Sequence, residues 1–271
     1  MKTLDQILTT PLPYSQAELN QMIMSFIDLT TLEGTDKREK VLALCNKAKQ
    51  HHVAAICVYP PFAKLVREQL AGTNIQTACV AGAFPAGQSP IHIKTAEVEW
   101  TVKQGAQEID MVISRGSFLE GDYTTVGAEI KAIREACGNP LISFKNRVHL
   151  KVILETGELQ TLENVKLASE IAIANINDGD FIKTSTGKVA VNATPEYAYV
   201  MLHCIKAEYE KTGKKIGFKP AGGVSTPEDA EKYVKLVYNI LGEEWLTPKL
   251  FRIGASRLVD ALVGVQSAQS Y

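Results

Sequence analysis

Short apolar, β-branched runs alternate along the chain with longer segments of helical period. The candidate strands are "SFIDL" (25–29), "VAAICVY" (53–59), "QTACVAG" (76–82), "EIDMVIS" (108–114), "HLKVILE" (149–155), "DFIKTS" (180–185), "KIGFKPA" (215–221) and "LFRIGA" (250–255). The segments between them carry helix start and stop signals. Asp36 is placed to cap "KREKVLALCNKAKQ"; the segment after Pro60 and Pro61 ends at Gly72, and "IKTAEVEWTVKQG" ends at Gly105. Two later segments open Thr-Pro-Glu: Thr194 and Thr226 suit the N-cap, Pro195 and Pro227 the first helical position. Eight βα units in this length predict an α/β fold, a (β/α)8 TIM barrel. An open doubly wound sheet is the rival, and the missing GxGxxG after the first strand weighs against it. No linker divides the chain. It is read as one domain over 1–271, with a short N-terminal helix, barrel core at about 25–260 and a polar tail at about 261–271.

Period two along a barrel strand sorts side chains into an inner and an outer face. Ile109, Met111, Ile113, Val152, Leu154, Ile182, Ile216 and Phe218 suit the outer, helix-facing side. Asp110, Lys151, Ile153, Glu155, Phe181, Lys183, Ser185, Gly217 and Lys219 then point inward, and Asp28 shares the face of Phe26. Three lysines and at least three carboxylates inside a barrel are a poor device for stability, because desolvation offsets much of their attraction. The cluster therefore reads as functional.

A lysine with an ordinary pKa near 10.4 is neutral in only about one molecule in 2,500 at pH 7. Neutral amines attack carbonyls and form Schiff bases. A second ammonium at ~6 Å, through an effective dielectric near 20, lowers a lysine pKa by about two units, and partial desolvation lowers it further. Lys219 beside Lys183 meets that requirement, although on this ground alone the two roles are exchangeable. Small-residue loops follow the last three strands: "STGK", "AGGVSTPE" and "IGAS". Gly187, Lys188, Gly222, Gly223, Gly254 and Ser256 could together hold a phosphate where barrels often do.

Composition narrows the remaining classes. A net charge of -1 and no basic run argue against nucleic-acid binding. No apolar run approaches the ~18 residues of a membrane span, and the N-terminus has no signal-peptide core. The five cysteines form no CxxC pair, so they read as reduced thiols of a cytoplasmic protein. The five histidines show no metal-ligand spacing, so no metal is expected. Cys57 lies on the second strand, facing the site.

The motifs "FIDLTTL", "AAICVYPPF", "VAGAFPAG", "EIDMVIS", "LKVILETGEL", "DFIKTSTGK", "GFKPAGGVST" and "RIGAS" resemble, in order from about residue 25 to 260, those of the deoxyribose-phosphate aldolases. That resemblance implies a class I aldolase without metal or organic cofactor. It would cleave 2-deoxy-D-ribose 5-phosphate reversibly to acetaldehyde and D-glyceraldehyde 3-phosphate. By position Lys183 corresponds to the Schiff-base lysine, Lys219 to its perturbing neighbour and Asp110 to the acid/base carboxylate. Asp28, Thr30 and Cys57 match residues lining the family's site, and inward-facing Lys151 joins that substrate-binding set. The six loop residues match phosphate-binding positions. Ser225 and Arg257 depart from the family's usual Arg and Ser, which puts the phosphate rim in question. The stretch "SFKNRVH" (143–149) reads as a lengthened loop, and Tyr271 parallels a terminal tyrosine that reaches the site in some members. The expected partner is a phosphosugar, with assembly into a homo-oligomer allowed. The alternatives are another Schiff-base phosphosugar aldolase or transaldolase, or a non-catalytic phosphosugar-binding barrel.

Overall fold

The computed structural model describes residues 2–138 and 148–264. Eight strands appear where the pattern places them: β1 (Ile27–Thr30), β2 (Ala55–Val58), β3 (Gln76–Val80), β4 (Glu108–Val112), β5 (His149–Ile153), β6 (Phe181–Lys183), β7 (Gly217–Lys219) and β8 (Ile253–Ala255). All pair in parallel, in the order β7-β6-β5-β4-β3-β2-β1-β8. Bridges between Phe218 and Phe251 and between Ala221 and Gly254 close β7 onto β8. The (β/α)8 barrel is thus the observed fold.

The helices are α1 (Leu4–Thr9), α2 (Gln16–Phe26), α3 (Arg38–His51), α4 (Ala63–Gln69), α5 (Ile91–Lys103), α6 (Arg115–Leu119), α7 (Tyr123–Ala136), α8 (Leu162–Asn175), α9 (Pro195–Thr212), α10 (Pro227–Ile240) and α11 (Leu258–Leu262). Thr194 accepts the N–H of Tyr197 and Thr226 that of Asp229, with a proline at the first position of both α9 and α10. Caps of this kind are worth about 1 kcal/mol each. All eight residues assigned outward pack in the layer between strands and helices. None of the described helices is long and apolar enough to cross a membrane.

Three local expectations change. The N-terminal region forms two helices rather than one, each opened by a capping box, Thr3 with Gln6 and Ser15 with Glu18. Phe26 ends α2 and packs with Phe251 in the outer layer, so it does not share the face of Asp28. Asp36 does not cap α3, whose N-cap is Lys37; its carboxylate accepts the Thr31 hydroxyl, the Glu33 N–H and the Lys40 ammonium instead. Residues 143–147 of the lengthened loop, and Tyr271 with the tail beyond 264, lie outside the described residues.

Candidate active site

The barrel interior is lopsided. Ala55, Cys57, Ala78 and Val80 from β2 and β3 form a small apolar cluster with Leu32, flanked by Tyr59 and Phe84. The rest of the ring supplies charge: Asp28 from β1, Glu108 and Asp110 from β4, Lys151 from β5, Lys183 from β6, Lys219 from β7, and Arg252 just ahead of β8. All seven are buried.

Parallel register lines these groups up across neighbouring strands. Asp110 stands beside Lys151, and Lys183 beside Lys219. Asp110 is the hub. Its Oδ1 accepts from Lys151 Nζ at 2.9 Å, and its Oδ2 accepts from both Lys183 Nζ and Lys219 Nζ at 2.8 Å. Lys219 also donates to Asp28 Oδ2 at 2.5 Å. Lys151 donates to Glu108 Oε2 at 2.5 Å and lies 3.5 Å from Asp28 Oδ2. Arg252 closes the far end, with NH1 at 2.7 Å from Asp28 Oδ1 and NH2 at 2.7 Å from Glu108 Oε1.

The two lysines expected to be interchangeable are not. Lys219 touches two carboxylates and Lys183 only one, already shared. Burial, helped by the Lys219 ammonium and opposed by Asp110, holds Lys183 below the ordinary lysine value. Burial pulls Lys219 the same way, but Asp110 and Asp28 outweigh it and its pKa rises. Lys151 rises likewise against burial through Asp110, Glu108 and Asp28. Burial would raise Asp110, yet Lys151, Lys183 and Lys219 together hold it well below the carboxylate range. Asp28 and Glu108 are lowered against burial by the cations around them. Cys57 faces the site, and burial foremost pushes its thiol up to about 11, so it is a neutral wall rather than a nucleophile. Lys183 is 3% exposed while Asp28, Asp110, Lys151 and Lys219 are at 0%. It is the most exposed of the cluster's lysines.

Gly187, Lys188, Gly222, Gly223 and Ser256 follow the C-terminal ends of β6, β7 and β8, whereas Gly254, read as a loop residue, lies buried inside β8. Thr30 sits at the end of β1, its hydroxyl donating to the Asp28 carbonyl. Gly187, Lys188, Gly223 and Ser256 are exposed, and Gly222 is half-buried. Gly222 and Gly223 both have φ near +80°, at 78° and 79°, which favours glycine. Lys188 Nζ reaches Glu33 at 3.0 Å, a pair that an incoming anion would have to displace. Gly254 is needed for space: a Cβ there would stand 2.8 Å from Ala221 Cβ and 3.2 Å from Lys219 Cε.

Glu155, read as an inward strand residue, lies beyond β5 in a left-handed conformation with φ 56°. Its carboxylate accepts the Thr186 N–H and hydroxyl, and that hydroxyl in turn accepts the Lys188 N–H at 3.1 Å. Glu155 thereby ties down the loop after β6. Arg115 pairs with it from α6.

Two members of the cluster, Glu108 and Arg252, were not foreseen as site residues. They form the floor, where Arg252 lies 5.8 Å over the Phe181 ring. Beneath that floor a cavity of about 1210 Å³ opens at the N-terminal end of the barrel, lined among others by His149, Lys215 and Lys249. Glu108 and Arg252 line it as well, while Lys183 and the rim loops do not.

Comparison with known proteins places this geometry. Residues 22–246 match the DeoC/LacD family aldolases. The chain is 46% identical to the deoxyribose-phosphate aldolase of Homo sapiens over 255 residues, covering 88% of this chain and 77% of that one. It is 40% identical to the deoxyribose-phosphate aldolase of Agrobacterium fabrum over 250 residues, covering 92% of each. The solved deoxyribose phosphate aldolase of Aeropyrum pernix, described as tetrameric, superposes with a TM-score of 0.71 at 22% identity, covering 93% of this chain and 98% of that one.

Proposed function

The chain belongs to the DeoC/LacD family of aldolases and is a carbon–carbon lyase, and we propose that it cleaves 2-deoxy-D-ribose 5-phosphate to acetaldehyde and D-glyceraldehyde 3-phosphate through a Schiff base on Lys183. The observation that carries the mechanism is the inequality of the two lysines on Asp110: Lys219 has Asp28 as well, Lys183 has nothing more.

Neutral Lys183 donates one N–H to Asp110 and keeps its lone pair for the C1 aldehyde of the open-chain sugar. The carbinolamine hydroxyl takes up a proton from solvent and leaves as water, giving a protonated imine, an electron sink. The C3 hydroxyl proton leaves to Asp110, acting through water with Lys219. The C2–C3 bond breaks, its electron pair moves into the enamine, and glyceraldehyde 3-phosphate departs. The enamine takes a proton at carbon, and hydrolysis releases acetaldehyde and Lys183.

Lys151 stays charged throughout, fixing Asp110 in place, and Lys219 is charged at rest. Because the cations hold Asp110 so far below ordinary carboxylate basicity, it accepts a proton only in passing. That is why the relay includes Lys219. Phosphate at Gly187, Lys188, Gly222, Gly223, Gly254 and Ser256 would supply the binding energy that orients the reacting carbons.

The test has two arms. A coupled assay should detect glyceraldehyde 3-phosphate release from the deoxysugar phosphate. Acetaldehyde plus borohydride should add a stable ethyl group to one peptide, that containing Lys183. Turnover without that adduct, or an adduct on another lysine, overturns the mechanism; no turnover overturns the substrate.

A further inference from the structure

We infer that Arg252, on the barrel floor, is a positioning residue that keeps Lys183 uncharged by completing the charge balance of the interior cluster. The inference rests on the Schiff-base reading of Lys183 given above.

The cluster is small enough to count. Its carboxylates are Asp28, Glu108 and Asp110; its cations are Lys151, Lys219, Arg252 and, when protonated, Lys183. Three cations already neutralise three carboxylates. A proton on Lys183 would leave one unbalanced positive charge among buried side chains, which is costly. Every direct contact agrees. Arg252 takes Asp28 Oδ1 at 2.7 Å and both oxygens of Glu108, at 2.7 and 3.1 Å. With those acceptors occupied, Asp28 and Glu108 have nothing further to offer, and Asp110 must serve three lysines. Lys183 is left with one shared oxygen.

Among the described residues, Asp110 is the carboxylate paired with Lys183. Asp110 faces it from β4, Lys219 from β7 and Cys57 from β2, with Asp28 behind Lys219 on β1 and Lys151 on the other oxygen of Asp110. At the rim Glu155 is matched by Arg115 and by the Thr186 hydrogen bonds. Arg252 therefore acts from the opposite side of the network, through the count rather than by contact. A unit charge about 10 Å away through an effective dielectric near 20 moves a pKa by roughly one unit.

The experiment is the pH midpoint of acetaldehyde adduct formation on Lys183, trapped with cyanoborohydride and read by intact mass, in the full-length chain. Arg252→Gln removes a positive charge and should move the midpoint up by on the order of one pH unit. Glu108→Gln is nearly isosteric, removes a negative charge, and should move it down by a similar amount. Arg252→Lys keeps the charge and should keep the wild-type midpoint. The double variant Glu108→Gln/Arg252→Gln restores the balance and should return to the wild-type midpoint. A purely structural role for Arg252 predicts no such opposite signs and no cancellation.

A folded Arg252→Gln at the wild-type midpoint would overturn the inference, as would a double variant shifted as far as the single. Should Arg252→Gln not fold, a Glu108→Gln midpoint that stays or rises overturns it equally. Absence of any wild-type adduct on Lys183 would instead sink the Schiff-base reading.

Discussion

Lys183 and Lys219 donate to the same atom, Oδ2 of Asp110, at 2.8 Å each. Two ammonium groups cannot both be comfortable on one carboxylate oxygen, and the tie is broken by Asp28, which pairs with Lys219 and not with Lys183. Lys183→Leu should therefore abolish both turnover and the borohydride-trapped adduct. It should not unfold the protein, because it removes the surplus member of the cluster. Intact-mass trapping and a melting curve check both halves; a full-yield adduct elsewhere would relocate the nucleophile.

Lys219→Leu has the opposite stability signature. It leaves Asp28 and Asp110 short of a buried partner, a change that typically costs about 3–5 kcal/mol. It also removes the charge that presses on Lys183. The pH needed for imine formation should rise. Denaturant unfolding and the pH profile of trapping measure the two effects, and an unmoved profile would deny Lys219 its electrostatic part.

Asp110→Asn separates the steps. Imine formation should persist, since Lys183 loses a group that favours its charged form. Carbon–carbon cleavage should slow by about 10²–10⁴-fold, the usual worth of positioned proton transfer. Single-turnover kinetics distinguish them; cleavage at the normal rate would clear Asp110 of the proton role.

Gly254→Ala tests how tightly Lys219 is placed. The new methyl group would meet Lys219 Cε and Ala221 Cβ, an overpacking worth about 1–3 kcal/mol. The expected result is a lower melting temperature together with a displaced trapping profile. Lost stability with an unchanged profile would mean that Ala221 alone yields.

Acid should destabilise the protein through its interior carboxylates. The pKa values of Asp28, Glu108 and Asp110 lie below their unfolded values. Their contribution is complete above about pH 5 and drains away as pH falls towards the folded values. Lys183, lowered instead, makes stability climb as pH rises from its folded value towards about 10.4. Urea midpoints across pH should show the acid limb, and the difference between wild type and Lys183→Leu should grow with pH through the alkaline range.

Much of this arrangement is legible in period two along the strands. The inward set Asp110, Lys151, Lys183 and Lys219 follows from apolar neighbours that had to face helices, and those neighbours do. Glu108 and Arg252 stand two residues before Asp110 and Gly254 and carry the same inward mark. What alternation does not carry is which inward charges meet, because that depends on register around a closed ring. The difference between Lys183 and Lys219 depends on whether Asp28 reaches across the β1–β8–β7 edge, a contact between residues 191 positions apart. Asp36 failed locally for a similar reason: its spacing suits a cap, but the Thr31 hydroxyl and Lys40 hold the carboxylate elsewhere.

The apolar quarter of the lining, with Cys57, Ala78 and Val80 beside the lysines, bears on which aldehydes the enzyme can use as donors. Such a wall has no strong donor or acceptor to offer. A methyl group resting there would lose nothing on leaving water, whereas a hydroxyl would arrive unmatched at a cost of about 1–3 kcal/mol. Preference for an unsubstituted two-carbon donor over a hydroxylated one is then a matter of what β2 and β3 withhold, as much as of what the lysines provide.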